Sequence, residues 1–197
     1  MFGETVKIVL IRHGKPAIKR LQRQSASEFG AWLLEYDLAE LDVSLSPSIE
    51  AIKCVSEYDF VVCSDLIRSL ESAKLLNQTP DKVCATFREF KTPYASWKGL
   101  KLSTTTWIWL FRGLQLLGYS KYAESYADAK KRSEACAVQL MKLAETHDGV
   151  VFVGHGLLNW FIHKKLLKMG WLGPKKSSKK YWGFTEYSFV KRRHNET

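Results

Sequence analysis

Long apolar stretches are missing from this sequence of 197 residues. No run approaches the roughly 20 residues that a helix needs to cross a bilayer. The first residues also lack the basic start and the cleavage site of a secretory signal peptide. These two absences predict a cytoplasmic protein without a membrane-spanning helix.

Cysteine is scarce too, with four residues in the chain. They show no short paired spacing and no cluster with histidine of the kind that binds zinc. No group of aspartates indicates a magnesium site. We therefore expect a protein of a reducing compartment, whose chemistry uses neither a metal nor a cofactor.

Acidic residues are rare near the C-terminus. Residues 151–197 contain two glutamates against ten basic residues, so this quarter of the chain carries +8 of the formal net charge of +10. The glutamates are Glu186 and Glu196, and the basic residues are Lys164, Lys165, Lys168, Lys175, Lys176, Lys179, Lys180, Lys191, Arg192 and Arg193. Such a segment is typical of a solvated surface. It also leaves open a patch for nucleic acid or an anionic membrane, or a field that steers anionic substrates.

Strand-like and helical segments alternate along the chain. Predicted strands cover residues 6–11, 59–63, 82–87, 150–153 and 187–191, and predicted helices cover 25–38 (from Ser25 or Ser27), 66–77, 125–146 and 156–169, with a short helix at Ser46-Pro47. This order predicts a three-layer α/β/α protein with a mostly parallel central sheet. Because no linker or internal repeat is visible, residues 1–197 are expected to form a single domain.

The first strand ends in Arg12-His13-Gly14. Ligands of open α/β sheets bind at the C-terminal ends of the strands. The guanidinium is a permanent two-pronged donor for an oxyanion, and the imidazole is a nucleophile or acid/base near neutral pH. Gly14 is expected to allow close approach of the backbone and φ values that other residues avoid. The tripeptide alone is a weak signal of an anion site.

Two further strand ends strengthen this signal. The second strand leads into residues 64–69, where Arg68 lies in the first turn of a helix that Ser64 or Asp65 would cap, and the fourth leads into Gly154-His155-Gly156. Gly156 begins a helix whose free amides and positive dipole end favour an anion. Since parallel strands end at one edge of the sheet, the three segments together predict a site for phosphate or a similar anion.

These motifs resemble those of the histidine phosphatase superfamily, which has the phosphoglycerate-mutase-like fold. The resemblance rests on the early Arg-His-Gly, the Ser-x-Leu-x-Arg-Ser segment at residues 64–69 and the late Gly-His-Gly, and so covers nearly the whole chain. It implies that His13 is phosphorylated during the reaction. It also implies that Arg12, Arg68 and His155, with Gly156 beside them, hold the phosphoryl group.

The family's proton donor is usually a Glu or Asp after the third strand, often followed by Trp-x-Gly. Glu89 and the element at residues 97–99 fit that pattern, so the resemblance makes Glu89 the acid, against the plainer reading of a solvated loop charge. Elementary chemistry agrees with these roles. Phosphoryl transfer needs a nucleophile in line and positive charge around the equatorial oxygens, and a covalent intermediate divides it into two steps. A carboxylic acid can protonate the leaving alkoxide and then activate water.

The residues after the tripeptide help to distinguish between reaction types. Mutase-like members usually continue with an acidic or amide residue, then Ser or Thr, and an Asn three positions later, whereas this chain has Lys15, Pro16 and Lys19. Pro16 offers neither an N–H nor a hydroxyl. The resemblance therefore implies a metal-independent phosphomonoesterase, a hydrolase of the histidine acid phosphatase type. A phosphohistidine-protein phosphatase, a phosphoglycerate-mutase-type phosphotransferase and a non-catalytic module that binds anions through the basic C-terminal segment stay open.

Residues 91–135 are expected to form a helical, aromatic cap insertion over the site. Its aromatic residues include Trp97, Trp107, Trp109, Phe111, Tyr119 and Tyr122. Aromatic walls suit a small phosphomonoester with an aromatic or hydrophobic part. The apolar run that begins at Trp107 is expected to be a core-packed cap helix, with a membrane-touching helix as the alternative.

Overall fold

The computed structural model describes residues 4–190 of the chain. Four charged residues counted above, Lys191, Arg192, Arg193 and Glu196, lie outside the described residues, as does the last position of the predicted strand 187–191. Within residues 4–190, no helix is both long and apolar enough to cross a membrane.

Seven strands and six helices make up the fold of the described residues. The strands are β1 (Thr5–Arg12), β2 (Gln24–Ser25), β3 (Val61–Cys63), β4 (Lys82–Val83), β5 (Lys101–Leu102), β6 (Val150–Gly154) and β7 (Phe184–Val190). The helices are α1 (Ala26–Leu38), α2 (Ile49–Ser56), α3 (Ile67–Leu75), α4 (Thr104–Leu116), α5 (Tyr126–His147) and α6 (Gly156–Lys168).

The central sheet has the strand order β4-β3-β6-β1-β7. The first four strands in that order run parallel, and β7 pairs antiparallel with β1 at the edge. This confirms the predicted α/β class with a mostly parallel sheet. The register places Arg12 opposite Gly154, and Cys63 opposite Val153, so β1, β3 and β6 end at one edge.

Both faces of the sheet are buried. Successive side chains of a strand point to opposite faces, so neighbouring residues of β1 pack in different clusters. Ile8 and Leu10 of β1 pack in one cluster with residues of α5 and α6. Val9 and Ile11 pack in a second cluster with residues of α2 and α3. Helices therefore cover both faces, as the near-continuous apolar strands predict, and the three-layer arrangement is confirmed.

A third apolar cluster joins α1 to α4 beside the sheet. Phe29 of α1 stacks on Phe111 of α4 with ring centroids 5.7 Å apart, and Trp107 is fully buried between them and its neighbours. The short β2–β5 ladder connects the same two segments. The inner face of α4 is thus core-packed, as expected, whereas Trp109 lies on its outer face. Ala129 of α5 falls within the predicted insertion 91–135, but it packs in the cluster of the sheet with α5 and α6.

Several predicted boundaries hold and one strand is wrong beyond its second residue. Ser25 caps α1 in a capping box with Glu28, and Asp148 ends α5 in the left-handed conformation. The predicted strand 82–87 pairs only at Lys82–Val83 and then turns into a 3-10 helix. The turn inserts Phe87 into the core against Phe152, with ring centroids 4.9 Å apart, which an extended chain along the sheet edge would not do.

Gly14 is needed for packing rather than for an unusual φ. Its φ lies outside the left-handed region, so the predicted conformational role is wrong, but an added Cβ would overlap the indole of Trp182. That indole is fixed by its Nε1–H, which donates to the Leu45 carbonyl at 3.0 Å.

Gly14→Ala should therefore lower the free energy of unfolding by about 1–3 kcal/mol through overpacking. Gly113→Ala in α4 is the matched control, because a Cβ there meets open space, and it should stabilise the protein by about 0.5–1 kcal/mol. Urea unfolding of both variants measures the two effects. Equal changes in the two variants would contradict this account of Gly14.

Candidate active site

The ends of β1, β3 and β6 bring the predicted site residues together at one edge of the sheet. The amide of His13 donates to the Gly154 carbonyl at 3.0 Å, which ties the residue after β1 to the end of β6. The imidazole rings of His13 and His155 lie with centroids 5.1 Å apart, and both side chains are buried. Two histidines predicted from separate motifs thus share one small volume.

The structure fixes which nitrogen of His13 can act as a nucleophile. Its Nδ1 lies 2.6 Å from the Gly14 carbonyl oxygen, which can only accept, so Nδ1 carries the hydrogen and Nε2 carries the lone pair. Burial, followed by the charges of Arg68 and Arg12, lowers the pKa of His13 well below 6.5. At neutral pH the residue is therefore an uncharged imidazole whose Nε2 carries the lone pair.

His155 is held by the hydroxyl of Ser64, a residue that the sequence predicts as a possible helix cap. Its Nε2 lies 2.7 Å from Ser64 Oγ. With the hydroxyl as donor to Nε2, the ring hydrogen lies on Nδ1, and this atom has no hydrogen-bond partner among residues 4–190. Burial, followed by the neighbouring His13 imidazole and the charges of Arg68 and Arg12, lowers the pKa of His155 well below 6.5 as well. His155 is therefore neutral, and in this tautomer its Nδ1 can donate.

Arg68 is almost completely buried, with a side-chain exposure of 1%. Its Nη1 donates to Asp37 Oδ1 at 3.1 Å and to the Tyr36 carbonyl at 3.2 Å. Its guanidinium carbon lies 4.7 Å from the centre of the Tyr36 ring. These contacts with α1 hold one end of the guanidinium, so that the rest is oriented rather than mobile.

Arg12 is held in the same way by the segment before β7. Its Nη1 donates to the Lys179 carbonyl at 2.6 Å, and its guanidinium carbon lies 4.0 Å from the centre of the Tyr181 ring. The backbone of Gly156 packs directly beside the guanidinium, where a Cβ would come within 3.3 Å of Arg12 Cζ. The predicted neighbours Arg12 and Gly156 are therefore in contact.

Three buried N–H groups at this edge share one property. Arg12 Nε, Arg68 Nε and His155 Nδ1 have no hydrogen-bond partner within the described part of the chain. Buried donors without an acceptor are costly, and two of these belong to permanent cations. A bound oxyanion would supply the missing acceptors.

Glu89 occupies the amides that were predicted to be free for an anion. Its carboxylate accepts hydrogen bonds from the amides of Leu157 and Leu158, in the first turn of α6, and from its neighbour Phe90, all at 2.9 Å. The prediction that this helix end holds its amides open for a ligand is thus wrong at these two positions. Glu89 is thus fixed at the N-terminus of α6, the helix that Gly156 begins.

Arg12, Arg68 and Glu89 line one pocket of about 280 Å³. Its charged residues are mostly basic, namely Arg12, Arg20, Arg68, Arg88, Lys91 and Arg112 against Asp37 and Glu89. Its aromatic residues are Trp32, Tyr36, Phe90, Tyr94, Tyr122 and Tyr181. Of the aromatic residues predicted for the cap, Tyr122 reaches this pocket, whereas Trp107 and Phe111 belong to the α1–α4 core.

Sequence reasoning missed the side chains that support the two arginines. Tyr36 and Asp37 lie on α1, and Tyr181 follows a segment predicted only as a loop. The predicted caps of α3 are wrong, because Leu66 is the N-cap without a side-chain bond. Asp65 instead accepts two hydrogen bonds from Arg88, each at 2.6 Å.

No group of three His, Cys, Asp or Glu residues that could hold a metal ion occurs within residues 4–190. All four cysteines are free thiols.

The lowered pKa values of the two site histidines can be tested directly. Burial disfavours the charged imidazole, so His13 and His155 should stay neutral as the pH falls through 6.5. Histidine NMR should show midpoints below 6.5 for both rings, with assignments from His13→Gln and His155→Gln. A midpoint at or above 6.5 for either ring would contradict the described site.

Comparisons with known proteins agree with this fold and show the family. A family model described as the histidine phosphatase superfamily (branch 1) matches residues 48–194. The match includes Arg68, Glu89 and His155, whereas Arg12 and His13 precede it. No curated protein sequence matches the chain significantly.

Several solved structures are similar to the chain. They include mycobacterial glucosyl-3-phosphoglycerate phosphatase (21% identity, 83% of this chain and 80% of that chain, TM-score 0.54). They also include phosphoglycerate mutase from Bacillus anthracis (16%, 95% and 89%, TM-score 0.55) and a phosphoserine phosphatase mutant from Entamoeba histolytica in complex with phosphoserine (15%, 94% and 95%, TM-score 0.54). At these identities the likeness establishes the fold.

Proposed function

Since the chain belongs to the histidine phosphatase superfamily, we propose that it is a phosphomonoesterase, a single domain that forms a phosphohistidine on His13. One observation carries the proposal. Arg12 Nε, Arg68 Nε and His155 Nδ1 are buried and have no hydrogen-bond partner within residues 4–190, and they belong to the same sheet edge as the neutral His13, whose ring lies next to that of His155. This combination suits a phosphoryl group, which needs acceptors satisfied on its oxygens and a nucleophile in line.

The reaction proceeds in two steps. Nε2 of His13 attacks phosphorus while the ester oxygen leaves with a proton from Glu89, and the P–N bond replaces the P–O bond. Water then attacks the phosphohistidine, gives a proton to the Glu89 carboxylate and releases phosphate and neutral His13. Arg12, Arg68 and His155 donate to the equatorial oxygens throughout.

Glu89 must carry a proton for the first step and lose it for the second. Its carboxylate accepts hydrogen bonds from three amides, which fix its position at the start of α6. The residue gives up a proton in the first step and takes one from water in the second, so it returns to its starting state after each turnover.

Hydrolysis rather than mutase chemistry is supported by the segment after His13. Lys15 forms an ion pair with Asp42 at 3.0 Å, and its carbonyl accepts from the Asp42 amide. Pro16 forms an isolated β-bridge with Leu41. The segment is thus tied to residues 40–42 instead of presenting polar groups to a transferred phosphoryl group.

The pocket supports a small phosphomonoester as the substrate. A volume of about 280 Å³ is at the lower end of the range for small-molecule sites. Its aromatic walls suit an apolar or ring-bearing alcohol portion, and its excess of basic residues favours an anionic molecule. Two of the similar structures are phosphatases named after small phosphorylated compounds, glucosyl-3-phosphoglycerate and phosphoserine.

A substrate panel tests the proposed activity. Purified protein is incubated with phosphorylated metabolites, phosphopeptides, a phosphohistidine protein and phospholipids, and released phosphate is measured. Small phosphomonoesters should be hydrolysed fastest. Release from the phosphohistidine protein alone, or phosphoryl transfer between positions of a phosphoglycerate without release, would replace the proposed function by one of these alternatives.

A further inference from the structure

The segment that carries α4 has an unusual distribution of charge. Residues 90–123 contain no aspartate or glutamate. Their basic residues are Lys91, Lys98, Lys101, Arg112 and Lys121. A surface built from this segment is therefore positive wherever it is charged.

The outer face of α4 is apolar as well as exposed. Trp107 and Phe111 point into the core, and the opposite face presents an uncharged stripe at helical spacing: Thr106, Trp109, Leu110, Gly113, Leu116 and Leu117. Trp109 is 74% exposed, Leu116 62% and Leu117 85%. This helix is thus apolar on two faces, of which only one is packed within the described residues.

Basic residues border this stripe at both ends of the helix. Arg20 donates to Thr105 Oγ1 at 3.3 Å beside the first turn, and Lys101 precedes the helix in β5. Lys121 follows the last turn, with its ammonium group 5.1 Å from the centre of the Tyr122 ring.

Arg112 is the one basic residue within α4, and it does not face the stripe. Its Nη2 donates to the Phe90 carbonyl at 2.6 Å, and its Nη1 to Gln115 Oε1 at 2.9 Å. The centre of the outer face is therefore apolar, and the charge lies at its edges.

We propose that the outer face of α4 docks on the surface of an anionic lipid bilayer. Tryptophan and leucine side chains of a surface helix insert at the level of the lipid headgroups, and flanking lysines and arginines attract anionic lipids. Charge complementarity favours a bilayer over a second copy of the chain. A symmetric contact through this face would bring its basic edges near one another, and like charges repel.

The position of the face relative to the pocket fits this orientation. Ile108 and Arg112 of α4 and Leu34 of α1 line the pocket, and Leu34 and Tyr122 at its edge are themselves exposed. Docking through α4 would thus place the pocket close to the membrane surface. The docking itself requires no turnover, so it stands or falls independently of the proposed reaction.

Vesicle sedimentation tests the proposal with the full-length protein. Vesicles of phosphatidylglycerol and phosphatidylcholine in equal parts are compared with vesicles of phosphatidylcholine alone. The protein should bind the first, and about 0.5 M salt should weaken binding because the electrostatic part is screened. The double variant Trp109→Ser/Leu117→Ser should lower the partition coefficient by about tenfold or more.

The matched control is Val43→Ser/Ile49→Ser, which removes two apolar residues of similar exposure, 86% and 67%, from another surface. It should bind like the wild type, and thermal unfolding should show that both double variants are folded. Lys101→Glu/Lys121→Glu should also weaken binding to the anionic vesicles, whereas His13→Ala should not.

Three results would overturn the proposal. The first is the absence of binding to the anionic vesicles, and the second is an equal loss in the control variant. The third is a dimer in sedimentation equilibrium that the Trp109→Ser/Leu117→Ser variant converts to a monomer, since the face would then belong to a second copy.

Discussion

His13→Ala abolishes the hydrolysis of an aryl phosphate such as p-nitrophenyl phosphate, by an expected factor of about 10⁴ or more. The reason is that the substitution removes the atom that forms the covalent bond to phosphorus, and within residues 4–190 no other imidazole is placed to replace it. The ring of His155 is next to that of His13, but Ser64 Oγ lies 2.7 Å from its Nε2 and so engages that nitrogen. Steady-state release of p-nitrophenol measures the loss.

A matched control separates chemistry from folding. His147→Ala removes an exposed histidine at the C-terminal end of α5, where its ring stacks on Phe60 with centroids 3.9 Å apart. That end of the helix precedes β6 and so lies at the opposite edge of the sheet from the site. This variant should retain the wild-type rate. A wild-type rate in His13→Ala would disprove the phosphohistidine mechanism.

Two further measurements belong to the same prediction. Brief incubation of the wild type with a ³²P-labelled substrate should leave label on the protein that acid removes, as expected for a phosphoramidate, and His13→Ala should take up none. Treatment with EDTA should not lower the rate, because arginine and histidine side chains supply the positive charge and the donors around the phosphoryl group.

The sequence predicts that the site residues converge, because the strands can be identified from it and parallel strands end at one edge of the sheet. β1 and β6 are short apolar runs with a functional tripeptide at the end of each, and parallel strands deliver such ends to one edge. Arg68 follows from the same rule, since its helix begins after β3. These three positions need only local sequence and one topological principle.

The supporting contacts were not predictable in the same way. Tyr36 and Tyr181 reach the two arginines from α1 and from the segment before β7, so their positions depend on how distant parts of the chain pack. The sequence predicts Ser64 or Asp65 as a helix cap, because such side chains near a helix start usually are caps. The side chain of Ser64 instead contacts His155, which lies 91 residues away.

Glu89 shows the same limit of sequence reasoning. The resemblance implies that Glu89 is an acid, but nothing in the sequence indicates that it accepts the amides of Leu157 and Leu158. The basic C-terminal segment is a further case. Lys179 contributes a backbone carbonyl to Arg12, whereas binding of nucleic acid by the lysines of this segment stays a prediction.

Glu89→Gln should slow the hydrolysis of an alkyl phosphate by about 10²–10⁴-fold, because the departing alkoxide then lacks its proton donor. The effect on formation of the phosphoenzyme from p-nitrophenyl phosphate should be much smaller, since p-nitrophenolate leaves without a proton. Rapid-mixing measurements of both substrates give the two ratios. Glu35→Gln, at an exposed glutamate of α1, is the matched control and should change neither rate.

The contrast between the two substrates is what identifies the role. Glutamine has one carbonyl oxygen as acceptor, and its side-chain NH₂ is a donor. This NH₂ would face a backbone amide that now donates to the Glu89 carboxylate, so the start of α6 loses hydrogen bonds in this variant. Such a structural loss slows both substrates alike, whereas loss of a proton donor slows mainly the alkyl phosphate. Equal losses for the two substrates would therefore make Glu89 a positioning residue for α6, and the proton would have to come from another group.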